Sequence, residues 1–194
     1  YDGKGQFLLK DEAEGRHPDV QKIIEQGAIA EAFCDFKYEA SVIVARDLYG
    51  QIETFPAAQN EHRSGILFTS EAPLVNEEVA EKMAQIARKI AEESKLVGVC
   101  GVEFFIENKD EIYVNELAPR PHNSGHYTIE ACSVSQYDQH IYAVTGQHLA
   151  PIKLLSPALM VNILGEHLEL AERVRDEFPE AFVHTYRKGE GRVG

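Results

Sequence analysis

Apolar and polar positions along the chain follow two different periods. The runs "AIAEAFCDF" and "KYEASVIVAR" have the short, β-branched character of strands and are read as two strands joined by a tight turn, with "QIETFP" as a third. From Asn76 the period lengthens. Val79, Met83, Ile86 and Ile90 recur on one helical face, Asn76 can cap that helix, and Glu77, Glu78 and Glu81 suit its N-terminal dipole. "VGVCGVEFFI" and "EIYVNEL" return to strands on either side of "ENKDE". Smaller elements are a strand near residues 7–9 and a helix on "HPDVQKIIEQG", opened by Pro18 and stopped by Gly27. Short helices are predicted over residues 127–132 and 135–144, and a strand in "ALMVNILG". A helix over about residues 166–175 and a strand at "FVHTY" follow. Residues 56–70 read as irregular and polar. Strands grouped as antiparallel hairpins with helices between them predict an α+β fold, not a doubly wound parallel sheet.

Composition narrows the function classes. The 194 residues are enough for one domain, or one and a part, with a real core. Nineteen basic against 32 acidic side chains leave a formal charge of −13, which argues against bulk-charge binding to nucleic acid or an anionic membrane. An anionic ligand would need a local gathering of basic groups. No apolar run reaches membrane-spanning length and no signal-peptide pattern opens the chain. Cys34, Cys100 and Cys132 are odd in number and show no paired spacing, as in a reduced, cytoplasmic protein. The opening "YDGKGQFLLK" is a glycine-rich turn with no element in front of it. Phosphate-handling loops sit between two elements, so the chain is expected to be a piece of a longer protein.

The densest chemistry lies in "VNELAPRPHNSGHYTIEAC". Taking Lys109 and Asp110 as a two-residue turn pairs Glu103 directly with Glu116 across a hairpin. Like charges there repel unless something offsets them. A three-residue turn would slip the register by one position. With Asn115 and the Arg/His run adjoining, the oxygen-rich pair fits Mg²⁺, while two solvated carboxylates splaying apart is the bland alternative. His122 and His126 have a spacing that could bind zinc in a helix, but Pro121 and Gly125 argue against helix there. His122 beside Arg120 and Asn123 makes better sense as a binder of an anion or carbonyl, with a purely structural loop network as the alternative. "DGKG" offers backbone N–H groups and a lysine for phosphate oxygens, although surface turns use the same residues. Glu31 and Glu39 flank the expected strand turn, either as edge decoration or as part of a linker holding a purine and its ribose. His62 in "QNEHRSGIL" and Lys188 in "HTYRKGEGR" carry no assignment by themselves.

Together "YDGKGQ", "EAF" followed by "EASVIVAR", "NEHRSGIL", "GVEFF" and, above all, "NELAPRPHNSGHYTIEAC" with "SQYDQH" resemble the 5-(carboxyamino)imidazole ribonucleotide synthases. These are ATP-grasp ligases of purine biosynthesis, also described as the ATPase subunit of phosphoribosylaminoimidazole carboxylase. The resemblance runs the length of the chain, and "APRPHNSGH" separates this family from biotin carboxylases and from glycinamide ribonucleotide ligases. It implies that ATP phosphorylates bicarbonate to carboxyphosphate and that the amine of 5-aminoimidazole ribonucleotide takes up the carboxyl group. It further implies that Tyr1, Asp2, Gly3, Lys4, Gly5 and Gln6 form a lid over the phosphates, with Tyr1 also touching the ribonucleotide. Glu31, Ala32, Phe33 and Cys34 would hold adenine, Glu39 the ribose, and His62 would lie near the nucleotide. Glu103 and Glu116 would bind Mg²⁺ with Asn115 beside them, and Arg120, His122, Asn123 and Lys188 would hold bicarbonate and the reacting amine.

The same likeness implies ATP and Mg²⁺ as cofactors, a cytoplasmic homodimer, and no nucleic-acid or membrane partner. It implies a partial ATP-grasp domain over residues 1–148 and a small, truncated C-terminal domain over residues 149–194. The family's N-terminal domain and basic C-terminal tail have no counterpart in this sequence, so the isolated chain is expected to be inactive. The rival readings are another ATP-grasp carboxylate–amine ligase and a nucleotide-binding paralogue without turnover. An intact Glu103, Asn115, Glu116 and Arg120 set argues against the second.

Overall fold

The computed structural model describes residues 7–167 and 169–185. The chain divides into two compact units, Tyr1–Asp35 and Phe36–Gly194. In the first, a 3-10 turn at Glu14–Arg16 leads into α1, Pro18–Glu25. His17 caps α1 by accepting from the Asp19 N–H through Nδ1 at 3.3 Å, and the Phe7 ring stacks on its imidazole. The expected strands at residues 7–9 and 28–36 do not form. The described residues of this unit contain no other strand to share their backbone groups, and Ile29 and Phe33 are exposed.

The second unit is built on one antiparallel sheet. In chain order its strands are β1 (Tyr38–Arg46), β2 (Ile52–Thr54), β3 (Ala58–Arg63), β4 (Ile66–Ala72), β5 (Gly98–Ile106), β6 (Ile112–Ala118) and β7 (Ala158–Val161). Their order across the sheet is β6-β5-β1-β3-β4-β7, and β2 pairs with the end of β1. The hairpin β3–β4 replaces the irregular segment expected at residues 56–70. Its signal was present in the Ser64–Gly65 dipeptide, since both residues take positive φ (52° and 75°), as a two-residue hairpin turn requires. Its strands are too polar to stand out by hydrophobicity.

Each face of the sheet is covered differently. Ala40, Val42, Val44, Val102, Phe104 and Ile106 point to α2 (Glu77–Glu93) and bury Val79, Met83, Ala87 and Ala91. Asn76 caps that helix as expected, accepting from the Val79 N–H at 3.2 Å. Ile43, Ala45, Ala58, Ala72 and Val99 point the other way, against Tyr127, Ala131 and Ala143. Those residues come from α3 (Thr128–Ala131) with its flank and α4 (Gln136–Val144), whose Ser135 and Asp138 form a capping box. By strand alternation Glu39, Ser41 and Glu103 lie on this second face.

The last part contains β7, a 3-10 turn at Gly165–His167 and α5 (Glu169–Glu177). The expected strand at residues 182–186 does not form over residues 182–185, where Phe182 is exposed, and residue 186 lies outside the described residues. His184 instead meets Glu130 through its side chain at 2.7 Å. Among the described residues no helix is long and apolar enough to cross a membrane.

The turn from β1 to β2 is held by Asp47, which exposes no surface and accepts from the N–H groups of Tyr49 at 2.8 Å and Gln51 at 2.9 Å. Burial would raise its pKa, but those bonds and His148 outweigh it and hold the carboxyl below its ordinary value. Its stabilising contribution is therefore present above about pH 4 and lost as pH falls through the lowered value. Asp47→Ala removes the acceptor of the Tyr49 and Gln51 N–H groups and should cost about 1–3 kcal/mol, read as a lower urea midpoint at unchanged slope.

Candidate active site

The β5–β6 hairpin sets the centre of the site. Its turn is not the expected two residues. Glu107 and Glu111 close a three-residue loop, with Asp110 at φ 58°, and next to the loop Phe104 pairs with Val114. Left alone, that loop would place Glu103 opposite Asn115. Asn115 is instead an extra, bulged residue, and beyond it Glu103 faces Glu116 directly. The longer turn and the bulge cancel, so the carboxylate pairing expected from the sequence is present by a different route.

Other strands bring further groups to this face. Ser41 on β1 pairs with Glu103, and Glu39 lies one pleat away. His62 on β3 approaches Glu39 through Nδ1 in a short contact with the Oε2 oxygen. Glu39, Glu103 and His62 are each mostly buried. The hydrogen bond to Glu39 raises the His62 pKa against the opposing effect of burial, helped by the charges of Glu39 and Glu103. Burial pushes the Glu103 carboxyl up, and Glu116 and Glu39 add to that while His62 and Arg120 oppose it.

After β6 the chain turns through Pro119, Arg120 and Pro121 into a 3-10 turn at Asn123–Gly125. His122 enters the site from there, its Nε2 lying 3.1 Å from Glu103 Oε1. Its Nδ1 lies 2.9 Å from Ser124 Oγ and accepts from the Ser124 N–H at 3.4 Å. These partners assign the ring proton to Nε2, which donates to Glu103. Burial lowers the His122 pKa to about 4, helped by the positive charges of Arg120, His126 and His62. The contact with Glu103 is therefore a hydrogen bond from a neutral imidazole and not an ion pair. Two histidines are pushed apart, one toward the cation and one held neutral. That pattern suits acid–base work.

Two family models match parts of the chain. The family model described as ATP-grasp domain matches residues 1–137. The chain belongs to the ATP-grasp family. The model described as phosphoribosylaminoimidazole carboxylase C-terminal domain matches residues 158–194 of this ATP-grasp chain. Its similar proteins include the N5-carboxyaminoimidazole ribonucleotide synthase of Bacillus subtilis, 46% identical over 100% of the chain and 51% of the relative. Among solved structures, N5-carboxyaminoimidazole synthetase from Staphylococcus aureus complexed with ADP matches with a TM-score of 0.85 and 45% identity, over 100% of this chain and 52% of that one. The synthase from Aspergillus clavatus, solved with ADP and 5-aminoimidazole ribonucleotide, gives a TM-score of 0.78 and 31% identity, over 91% and 50%. The chain thus spans about half the length of the relatives it matches.

Of the residues expected at the site, Glu39, His62, Glu103, Glu116, Arg120 and His122 interact as one cluster within the second unit. Asn115 is the bulged residue, and Asn123 is exposed at the start of the 3-10 turn. Glu31, Ala32, Phe33 and Cys34 lie in the irregular segment of the first unit. Tyr1 to Gln6 and Lys188 fall outside the described residues. Among the described residues no three or more His, Cys, Asp or Glu converge as a metal cage. Two opposed carboxylates still fit Mg²⁺, which commonly keeps water and takes the rest of its shell from substrate phosphates. A cavity of about 830 Å³ lies elsewhere, lined by α2 residues and residues 152, 154 and 157–159, and none of the expected site residues borders it.

Two residues that place His122 escaped sequence reasoning. A Cβ at Gly101 would lie 2.8 Å from the His122 Cβ and 2.9 Å from its Cγ, so only glycine lets the imidazole sit this close to β5. Ser124 fixes the tautomer. Nothing in the local pattern announces either, because both contacts depend on where the loop lands.

The lowered His122 value has a consequence for stability. The folded chain binds this proton more weakly than the unfolded chain, so the group's contribution is complete above pH 6.5 and is lost as pH falls toward 4. The loss over that window is on the order of 3 kcal/mol. Urea unfolding of wild type and His122→Gln at pH 7 and pH 4 should show the variant losing less by about that amount. Equal losses would refute the neutral assignment.

Proposed function

We propose that this chain carries the metal-binding and carboxyl-transfer part of an ATP-dependent ligase that carboxylates 5-aminoimidazole ribonucleotide with bicarbonate. The observation that carries the reading is a neutral His122 hydrogen-bonded to one member of an opposed Glu103–Glu116 pair, with Arg120 beside it. The likeness to synthases along the whole chain supports the choice of substrate, as does the relative solved with ADP and the ribonucleotide.

The chemistry follows from the groups present. A bicarbonate oxygen attacks the γ-phosphorus of ATP, giving carboxyphosphate and ADP. Two anions must first be brought together, and the Arg120 guanidinium suits a pair of carboxylate oxygens with its planar fork. Prolines on both sides stiffen the backbone at Arg120, so little freedom is lost in aiming it. The amine then bonds to the carboxyl carbon, directly or after release of CO₂, and phosphate leaves. The amine must shed a proton in that step. The neutral His122 imidazole, whose own proton is on Nε2, accepts it at Nδ1, and Asn123 orients the oxyanion. Mg²⁺, held by Glu103 and Glu116, would supply charge neutralisation to the phosphate oxygens.

We further propose that Glu39 reads the ribose with His62 beside it, and that residues 1–6 close over the phosphates. Residues 31–34 hold adenine, and Lys188 joins Arg120 at the anion. A boundary near residue 148 is supported by the separate family match over residues 158–194. A cytoplasmic homodimer completes the reading.

In the enzyme at the full length of its relatives, Glu116→Gln should abolish ATP turnover while the fold persists. Removing one charge from the opposed pair should even stabilise the apoprotein by some tenths of a kcal/mol. Arg120→Lys should lose at least about 2.7–4 kcal/mol of transition-state stabilisation, the scale of one preorganised donor. His122→Asn should lose amine carboxylation with nucleotide affinity nearly unchanged. The measurement is product formation beside an ATP-binding titration. Weakened ATP binding with bicarbonate-dependent turnover spared in Arg120→Lys would move the arginine to the nucleotide site.

A further inference from the structure

Helix α4 opens on Gln136 and presents Gln139 one turn later, and neither exposes any surface. Gln136 takes the main chain of His122 at both ends. Its Oε1 accepts from the His122 N–H at 2.9 Å, and its Nε2 donates to the His122 carbonyl at 2.8 Å. The main chain of Gln136 is held in turn. The Gln136 N–H donates to Thr128 Oγ1 at 3.0 Å, and that hydroxyl donates to the Gly125 carbonyl at 2.6 Å. At Gly125 a Cβ would lie 2.8 Å from Gln136 Oε1 and 2.7 Å from Ile43, so the loop backbone runs directly against the amide.

The loop needs such a partner. Pro119 and Pro121 have no N–H, so no strand ladder can continue through this segment and fix His122. A primary amide offers one donor side and one acceptor side on a single plane, and so can stand in for a strand neighbour one residue long. Glutamate would present oxygen to the His122 carbonyl, and methionine would present nothing. Gln139 shows the same device at a different place. Its Oε1 accepts from the Ala150 N–H at 3.0 Å, and its Nε2 donates to the Ala150 carbonyl at 2.6 Å. The chemistry is identical, but the clamped residue carries no functional side chain.

We propose that Gln136 is a positioning residue for the carboxyl-transfer step, holding the His122 backbone so that the imidazole meets Glu103, a role resting on the function proposed for His122 above. With the main chain fixed at both ends and the ring set against Gly101, the side chain has little freedom left. Gln139 is the built-in comparison, because any effect of merely losing a buried amide clamp is shared by both.

Gln136→Met and Gln139→Met are made in the full-length enzyme and in this chain. Both should lower the melting temperature to a similar degree. Only Gln136→Met should lower kcat for bicarbonate-dependent carboxylation, by about 100-fold, the effect of misplacing a catalytic group by roughly 1 Å. The KM for ATP should stay within about twofold in both variants. In this chain, the NMR signal of the His122 Nε2–H donated to Glu103 should be lost or displaced in Gln136→Met and retained in Gln139→Met. If Gln136→Met does not fold, Thr128→Val, which removes the hydroxyl that holds the Gln136 main-chain N–H, is read the same way. A kcat and a ring-proton signal in Gln136→Met equal to those of Gln139→Met would overturn the proposal. If the full-length wild type carboxylates nothing, the functional reading fails, while the ring-proton signal still decides whether Gln136 positions His122.

Discussion

Repulsion between carboxylates is the constraint around which the site is organised. Glu103 and Glu116 stand opposite one another across a hairpin, and Glu39 adds a third acid on the adjoining strand. Opposed like charges cost stability in a bare sheet. Here Glu39 and Glu103 have answering groups from other parts of the chain. His62 reaches Glu39 from β3, and Arg120 and His122 come over the face from the loop after β6. Every one of those strands and loops must be in place before the acids can be tolerated. The same burial that pushes the Glu103 carboxyl up keeps His122 neutral.

The sheet separates this demand from folding stability. One face is apolar and closed by α2, with Met83, Ala87 and Ala91 fully buried against β1 and β5. The opposite face is apolar only where α3 and α4 lie on it, and polar where Glu39 and Glu103 emerge. A strand such as β5 serves both sides, alternating Cys100, Val102 and Phe104 toward the helix with Gly101 and Glu103 toward the chemistry. Its glycine is as much a part of the site as its glutamate.

How much of this could be read in the sequence depended on how local each signal was. The helix at residues 77–93 and strands β1, β5 and β6 were legible because hydrophobic period and capping agree there. The hairpin β3–β4 was not, since its strands "AQNEHR" and "ILFTSEA" are half polar and only Ser64–Gly65 marked it. The strand readings at residues 28–36 and 182–185 failed for the converse reason: apolar content is present, but no neighbouring strand among the described residues shares the backbone bonds. The Glu103–Glu116 pairing was legible as an outcome although its mechanism was misread, because a longer loop and an extra strand residue compensate. The neutrality of His122 was beyond reach. It is set by burial and by the charges of Arg120, His126 and His62 around a ring that Gly101 and Gln136 place, groups that meet only in three dimensions.

The bulge at Asn115 bears on association as well as aim. β6 is an outermost strand of the sheet, and Tyr113, Val114 and Leu117 stand exposed along it. A flat outer strand with such residues is a template on which another chain can add a strand of its own. An extra residue breaks the regular spacing of the backbone N–H and C=O groups along the strand and twists it locally. An incoming strand then finds matching partners only on one side of Asn115 at a time. The residue that sets two carboxylates face to face also interrupts the edge on which amyloid-like stacking would build, so aim and protection from self-assembly are met by one insertion.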